Sequence, residues 1–164
     1  MSHCVNSSNN WDSNPFPMTK KRIPAKLRSL VRQRAQGYCE YCLCPDFCLT
    51  QLHSIEHILP ESRGGKSIAN NLALACQGCN GSKGTKIQAF DPITGRKARL
   101  FHPRRDRWEA HFAWSPDHLL LIGLTPIGRA TVQELDLNRK GVIRLRKLLI
   151  LDREHPPQYR PGKK

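Results

Sequence analysis

The chain has 164 residues, 27 Lys and Arg against 13 Asp and Glu, and a formal charge of +14, with 38% apolar residues. That length suits one compact domain or a small core with an extension, and the longest apolar runs, residues 119–124 and 148–151, fall far short of the roughly 20 residues of a membrane-spanning helix. No membrane partner is therefore expected. The positive surplus makes a polyanion the natural partner, because each Lys or Arg that meets a phosphate releases condensed counterions, and nucleic acid leads that class. Seven cysteines behind an N-terminus without an apolar export segment suit a reducing, cytoplasmic compartment, where CxxC pairs are metal ligands more often than disulfides.

Residues 1–22, rich in Ser, Asn and Pro and ending in Lys20, Lys21 and Arg22, read as a disordered basic arm. A helix is expected from Ile23, with Pro24 at its first position, Leu27, Leu30 and Val31 on one face and Gly37 ending it. Its other face carries Lys26, Arg28, Arg32 and Arg34, which read equally as a solvated face or a DNA-facing one. Strands are expected over residues 51–55 and 72–75, separated by the turn-rich stretch 60–69, with a short helix from Cys79 to about Ile87. Further on, residues 110–114 and 119–123 flank a Ser-Pro-Asp-His turn as a hairpin. Thr125 and Pro126 start another helix as N-cap and first residue. Asn138 is the expected cap of a last helix with Val142, Leu145 and Leu149 as its apolar stripe, and residues 156–164 form a second basic tail.

Chemistry concentrates in two CxxC pairs, Cys39 and Cys42 in YCEYC and Cys76 and Cys79 in ACQGC. Two such knuckles supply the tetrahedral four-sulfur set that structural Zn²⁺ prefers, and the intervening residues 43–75 exceed a zinc-ribbon loop, so a functional segment is inserted between them. Cys44 and Cys48 are near enough in sequence to compete as ligands, and Cys4 has no evident role. Within the insert, Glu56 and His57 precede a Gly-rich turn, and a carboxylate beside an imidazole supplies both a hard metal ligand and a general base. His53 reads as structural, and His102, His111 and His118 as packing or surface residues. The string GGKS over residues 64–67 lacks the first glycine and the preceding long strand of a phosphate-binding loop, so nucleotide hydrolysis is not expected. Arg96, Lys97, Arg99, Arg104, Arg105 and Arg107, interleaved with Phe101 and Trp108, can track a phosphate backbone while the aromatics pack in the core.

Read together, CEYC, EHILPESRGG and NLALACQGCNGSK over residues 39–83 resemble the HNH endonuclease motif in a zinc-knuckle form. Residues 91–155 resemble an extension found in a bacterial, notably cyanobacterial, subgroup. The resemblance implies an α+β fold with a ββα-metal core over residues 23–90, structural zinc knuckles, an N-terminal helix and a hairpin-plus-helices extension over residues 91–155. It implies His57 as the general base, Asn71 as the residue fixing the loop that carries His57, and Glu56 and Asn80 as ligands of a catalytic divalent cation. Asn80 stands where the motif's name has its last His, and Glu56 where many relatives have Asp. A neutral amide oxygen with a carboxylate favours Mg²⁺ or Mn²⁺. Arg63, Lys66, Lys83, Lys86, Arg104 and Arg105 are the basic side chains expected to meet DNA. The expected activity is hydrolysis of DNA phosphodiesters to 5′-phosphate and 3′-hydroxyl ends, with no small-molecule organic cofactor. A zinc-stabilised binding module without catalysis, or an interaction subunit using its C-terminal helix, are the other readings. No oligomeric state is implied.

Overall fold

The structure, a computed structural model, describes residues 22–161. The expected arm, save for Arg22, the end of the tail and Cys4 lie outside these residues. Helix α1 (Ala25–Ala35) starts after Pro24, which acts as N-cap rather than first helical residue. It stops where Gln36 and Gly37 both adopt left-handed φ values of 51° and 77°, a conformation glycine takes without a Cβ penalty. Its buried face, Val31 and Ala35, packs on Leu72 and Leu74. On the basic face of α1, Arg32 and Arg34 are tied down: Arg32 donates to the His53 carbonyl at 2.9 Å, and Arg34 to the carbonyls of Ala69 and Leu72 at 3.0 and 2.7 Å.

The first cysteine pair lies on a tight loop closed by Cys39 N–H to the Cys44 carbonyl at 2.9 Å. Strand β1 (Ser54–His57) pairs antiparallel with β2 (Leu72–Ala75), from Ser54 opposite Ala75 to His57 opposite Leu72. The ladder begins later than the alternation over residues 51–55 suggests, because His53 is already engaged with the Cys44 carbonyl at 2.8 Å and Leu52 faces solvent. Every residue of β2 is buried. Helix α2 (Gln77–Lys83) begins two residues before Cys79 because the Cys76 sulfur caps it, accepting from the Cys79 N–H at 3.5 Å.

A hairpin that the sequence reading missed follows, β3 (Gln88–Phe90) against β4 (Lys97–Arg99). Its turn is organised by the buried carboxylate of Asp91, which accepts from Thr94 Oγ1 at 2.7 Å and takes a two-pronged contact from Arg129 at 2.7 and 2.8 Å. After the single turn α3 (Trp108–His111), the expected hairpin appears as β5 (Phe112–Trp114) and β6 (Leu121–Gly123). Helix α4 (Pro126–Glu134) has Thr125 as its cap, accepting from Gly128 N–H at 3.2 Å, as the sequence indicates. Helix α5 (Lys140–Leu151) is preceded by Arg139 at the cap position, not Asn138. The Asn138 amide is used elsewhere: it bonds both backbone groups of Leu121 at 2.8 and 2.9 Å and accepts from Arg146.

The described residues thus combine five α-helices with three two-stranded antiparallel sheets, an α+β arrangement. One apolar cluster runs from the knuckle cysteines, Tyr41 and Leu43 through Phe101, Trp108 and Phe112 to Leu135 and Leu137, so the extension and the knuckles share a core. At its polar centre Glu40, wholly buried, accepts from Leu74 N–H at 2.9 Å and Tyr159 OH at 3.1 Å and pairs with Arg104 and, at 3.8 Å, Arg34. The chain end is further held by His155, which donates from Nε2 to the His118 carbonyl at 2.9 Å and stands edge-on to Trp114. Burial holds the His155 pKa down at about 4. Because the neutral ring is the one that docks, this anchor is fully present above the unfolded value near 6.5 and is lost as pH falls through about 4. Near-ultraviolet circular dichroism from Trp114 should lose amplitude over that window, and His155→Phe should remove the pH dependence.

Candidate functional site

The sulfurs of Cys39, Cys42, Cys76 and Cys79 all lie within 4.8 Å of one another, and all four residues are buried. Cys42 and Cys76 sulfurs are 3.7 Å apart, close to the edge of a tetrahedron built on Zn–S bonds of about 2.3 Å. Burial pushes the Cys39 thiol well above its usual range, while hydrogen bonds from Cys39 and its neighbours draw Cys42 well below. Four sulfurs this close ionise together only around a cation, and the donor set fits Zn²⁺. Cys44 and Cys48 do not belong to the cluster: Cys44 donates to the Pro45 carbonyl at 3.6 Å, and Cys48 is exposed. No local signal singles out Arg139, whose guanidinium reaches Cys76 Sγ at 3.0 Å and Cys79 Sγ at 3.7 Å. Gly78 makes room for it, since a Cβ there would lie 2.6 Å from the guanidinium carbon.

The segment between the knuckles folds back on itself. Asn71 closes it, its amide oxygen accepting from Leu59 N–H at 2.8 Å and its amide nitrogen donating to the Leu59 and Lys66 carbonyls at 2.9 and 3.0 Å. Gly65 sits so near that a Cβ would lie 1.8 Å from the Leu59 carbonyl oxygen, so no other residue fits this loop unchanged. His57, at the end of β1, has Nε2 at 2.9 Å from Ser67 Oγ, which in turn contacts Glu61 Oε1 at 3.5 Å. Ser67 and Glu61 escaped the sequence reading because Ser67 stood out only as part of a phosphate-loop mimic.

Glu56 is 5% exposed and its carboxylate forms an ion pair with Lys83. Burial raises the Glu56 pKa, and Lys83 opposes that rise. Asn80 lies half-buried on α2, the helix packed beside β1. One carboxylate and one neutral amide oxygen on adjoining elements are a suitable donor pair for a hard divalent cation that keeps several waters.

The six basic residues expected at DNA divide sharply. Arg63, Lys66 and Arg105 are exposed, and Lys86 is exposed but paired with Glu134 at 2.6 Å. Lys83 is 1% exposed, and besides Glu56 it donates to the His57 carbonyl at 3.0 Å. Arg104 is engaged with buried Glu40. Both are interior ion-pair partners, because a buried carboxylate needs a compensating cation more than a surface does.

The HNH endonuclease family model matches residues 39–86, a segment that holds both cysteine pairs, Glu56, His57, Asn71 and Asn80. No curated protein and no solved structure matches the chain. Among the described residues no helix is long and apolar enough to cross a membrane.

Two outcomes follow from this geometry. Structural zinc sites are worth roughly 10–16 kcal/mol in small domains, comparable to the whole stability of a domain of this kind. Cys76→Ser should therefore abolish stoichiometric zinc in elemental analysis and cooperative melting together. Removing one partner of a buried pair costs about 3–5 kcal/mol, so Lys83→Met should lower stability by that amount in urea unfolding, whereas the exposed Lys66→Met should change it by less than about 0.5 kcal/mol. Equal, small effects would return Lys83 to the surface.

Proposed function

We propose that the protein is a metal-dependent endonuclease that hydrolyses DNA phosphodiester bonds. The observation that carries this reading lies inside the matched segment: an imidazole on a braced loop, with Nε2 bonded to Ser67 and Ser67 directed to Glu61. We assign Nε2–H as the donor to Ser67, which itself donates to Glu61, and that tautomer puts the basic lone pair of His57 on Nδ1. Asn71 keeps that ring in place by locking Leu59 and Lys66 across the loop.

Glu56 and Asn80 are the ligands we assign to Mg²⁺ or Mn²⁺. A divalent cation bound there supplies neutralisation of the charge that develops on the phosphate and on the leaving oxygen. Lys83, already at Glu56, opposes the protonation of that carboxylate that burial favours. His57 takes the proton of the attacking water, and the cleaved strand leaves with 5′-phosphate and 3′-hydroxyl ends, as the resemblance implies. Exposed Arg63, Lys66 and Arg105 approach the phosphate backbone, where their contacts set register rather than sequence. We assign the cysteine cage to structural Zn²⁺, outside the chemistry.

One feature favours the second reading, a nucleic-acid-binding module without catalysis: the Glu56 charge is already answered by Lys83. Nicking of supercoiled plasmid separates the two. With Mg²⁺ or Mn²⁺ the native protein should convert supercoiled to open-circular DNA, and His57→Ala should cut at least a hundredfold more slowly, the scale of general base catalysis, while still binding DNA. Salt-sensitive binding with no nicking under either metal would establish the module instead.

A further inference from the structure

A cavity of about 590 Å³ lies between the His57 loop and the start of the extension, within the roughly 300–1,000 Å³ range of small-ligand sites. Its apolar lining includes Ile58, Ile68 and Ile87, and its polar lining includes Lys66, His102 and Arg105. Asn71 and Lys83 also border it, so its wall is continuous with the loop that carries His57 and with the lysine on Glu56.

The charges around this cavity are not all free. Arg99 is held by Asp106 at 2.5 and 2.8 Å, and Asp106 also accepts from His102 N–H at 2.8 Å, so the acid is saturated and repels no anion. Among the described residues Lys66 and Arg105 have no ion-pair partner, which leaves two unmatched cations at the rim. His102 has a fixed orientation: its Nδ1 accepts from Arg104 N–H at 3.2 Å, so in the neutral ring the proton sits on Nε2 as a donor. Burial and the neighbouring Arg105 lower the His102 pKa, which keeps the ring neutral near pH 7.

An apolar floor, a directed N–H donor and two free cations at the mouth together complement one kind of ligand, a flat apolar ring with acceptor atoms on its edge and a phosphate on its flank. We propose that this cavity is a nucleotide pocket that takes one unpaired nucleotide of the DNA being cut. The base lies over Ile58, Ile68 and Ile87, an acceptor on its edge meets His102 Nε2, and its phosphate lies between Lys66 and Arg105. A base inside a duplex must be unstacked and unpaired before it enters such a pocket, a cost that is smallest where the base is already unpaired. The substrate is then DNA with a bulge, gap or flap. That the bound DNA is also cut rests on the nuclease reading, whereas the pocket itself is tested by binding alone.

The test uses full-length His57→Ala protein, so that no cleavage intervenes, and two otherwise identical duplexes, one fully paired and one with a single bulged fluorescent purine. Anisotropy should give at least tenfold tighter binding to the bulged duplex, with a change in purine emission as the base enters. Ile68 is half exposed, so Ile68→Glu alters the rim without opening the core, and the ratio of the two affinities should fall to near one. His102→Ala should reduce it in the same direction. Equal affinities for the two duplexes, or a ratio unmoved by Ile68→Glu in protein that retains its zinc and its melting transition, would overturn the pocket whatever the plasmid assay gives. Saturable binding of free deoxyadenosine monophosphate that DNA does not displace would also overturn it, in favour of a site for a small effector. Failure of plasmid nicking with the bulge preference intact would remove the nuclease reading and leave the pocket standing.

Discussion

Four thiols packed within 4.8 Å of one another at the centre of the core impose a condition on everything around them: their charge and their burial are compatible only if a cation is shared among them. That condition fixes the path of the chain. Cys39 and Cys42 sit just after α1, and Cys76 and Cys79 span the junction of β2 and α2, so bringing the sulfurs together brings the helix, the two strands and the second helix into one body. The residues between β1 and β2 then fold outward as a loop. The residues we assign to catalysis lie on that loop or on the elements at its feet, and the cysteine cage holds those elements together.

The cage also explains how the extension is attached. Arg139, just ahead of α5, places its guanidinium on Cys76 and Cys79, which offsets the excess negative charge of a four-thiolate centre and converts the metal site into a docking point for the last helix. Phe101, Trp108 and Phe112 complete the contact in the shared apolar cluster. Aromatic burial and charge pairing act on the same interface, the first supplying area and the second direction.

Much of this was legible in the sequence because the chemistry demanded recognisable residues at recognisable spacing. The CxxC pairs, the Glu56 and His57 pair, strand 72–75 and the Thr125 and Pro126 helix start are local signals, each read from a few neighbouring residues. What escaped was set by partners far away in the chain. Lys83 looks like any helix-terminal lysine until β1 puts Glu56 against it, and Arg104 belongs to a basic run until Glu40 claims it. The β3–β4 hairpin hid behind its charged exposed residues, since a three-residue strand such as Lys97–Arg99 carries too little alternation to stand out. Asn138 has the composition of a helix cap, but holding both backbone groups of Leu121 satisfies more hydrogen bonds than one cap does. Sequence periodicity does not register that competition, because the rival partners are brought together only by the completed fold.

Glu40 gives the arrangement its reach. Its carboxylate is answered from α1 by Arg34, from β2 by Leu74, from the extension by Arg104 and from the chain's last described stretch by Tyr159. A charge taken out of water tolerates no missing partner, and residues 39–86 by themselves contain just one of the four. The segment that matches the HNH endonuclease family model is thus smaller than the segment that answers this carboxylate. A fragment trimmed to residues 39–86 would keep the carboxylate and leave three of its four answers behind.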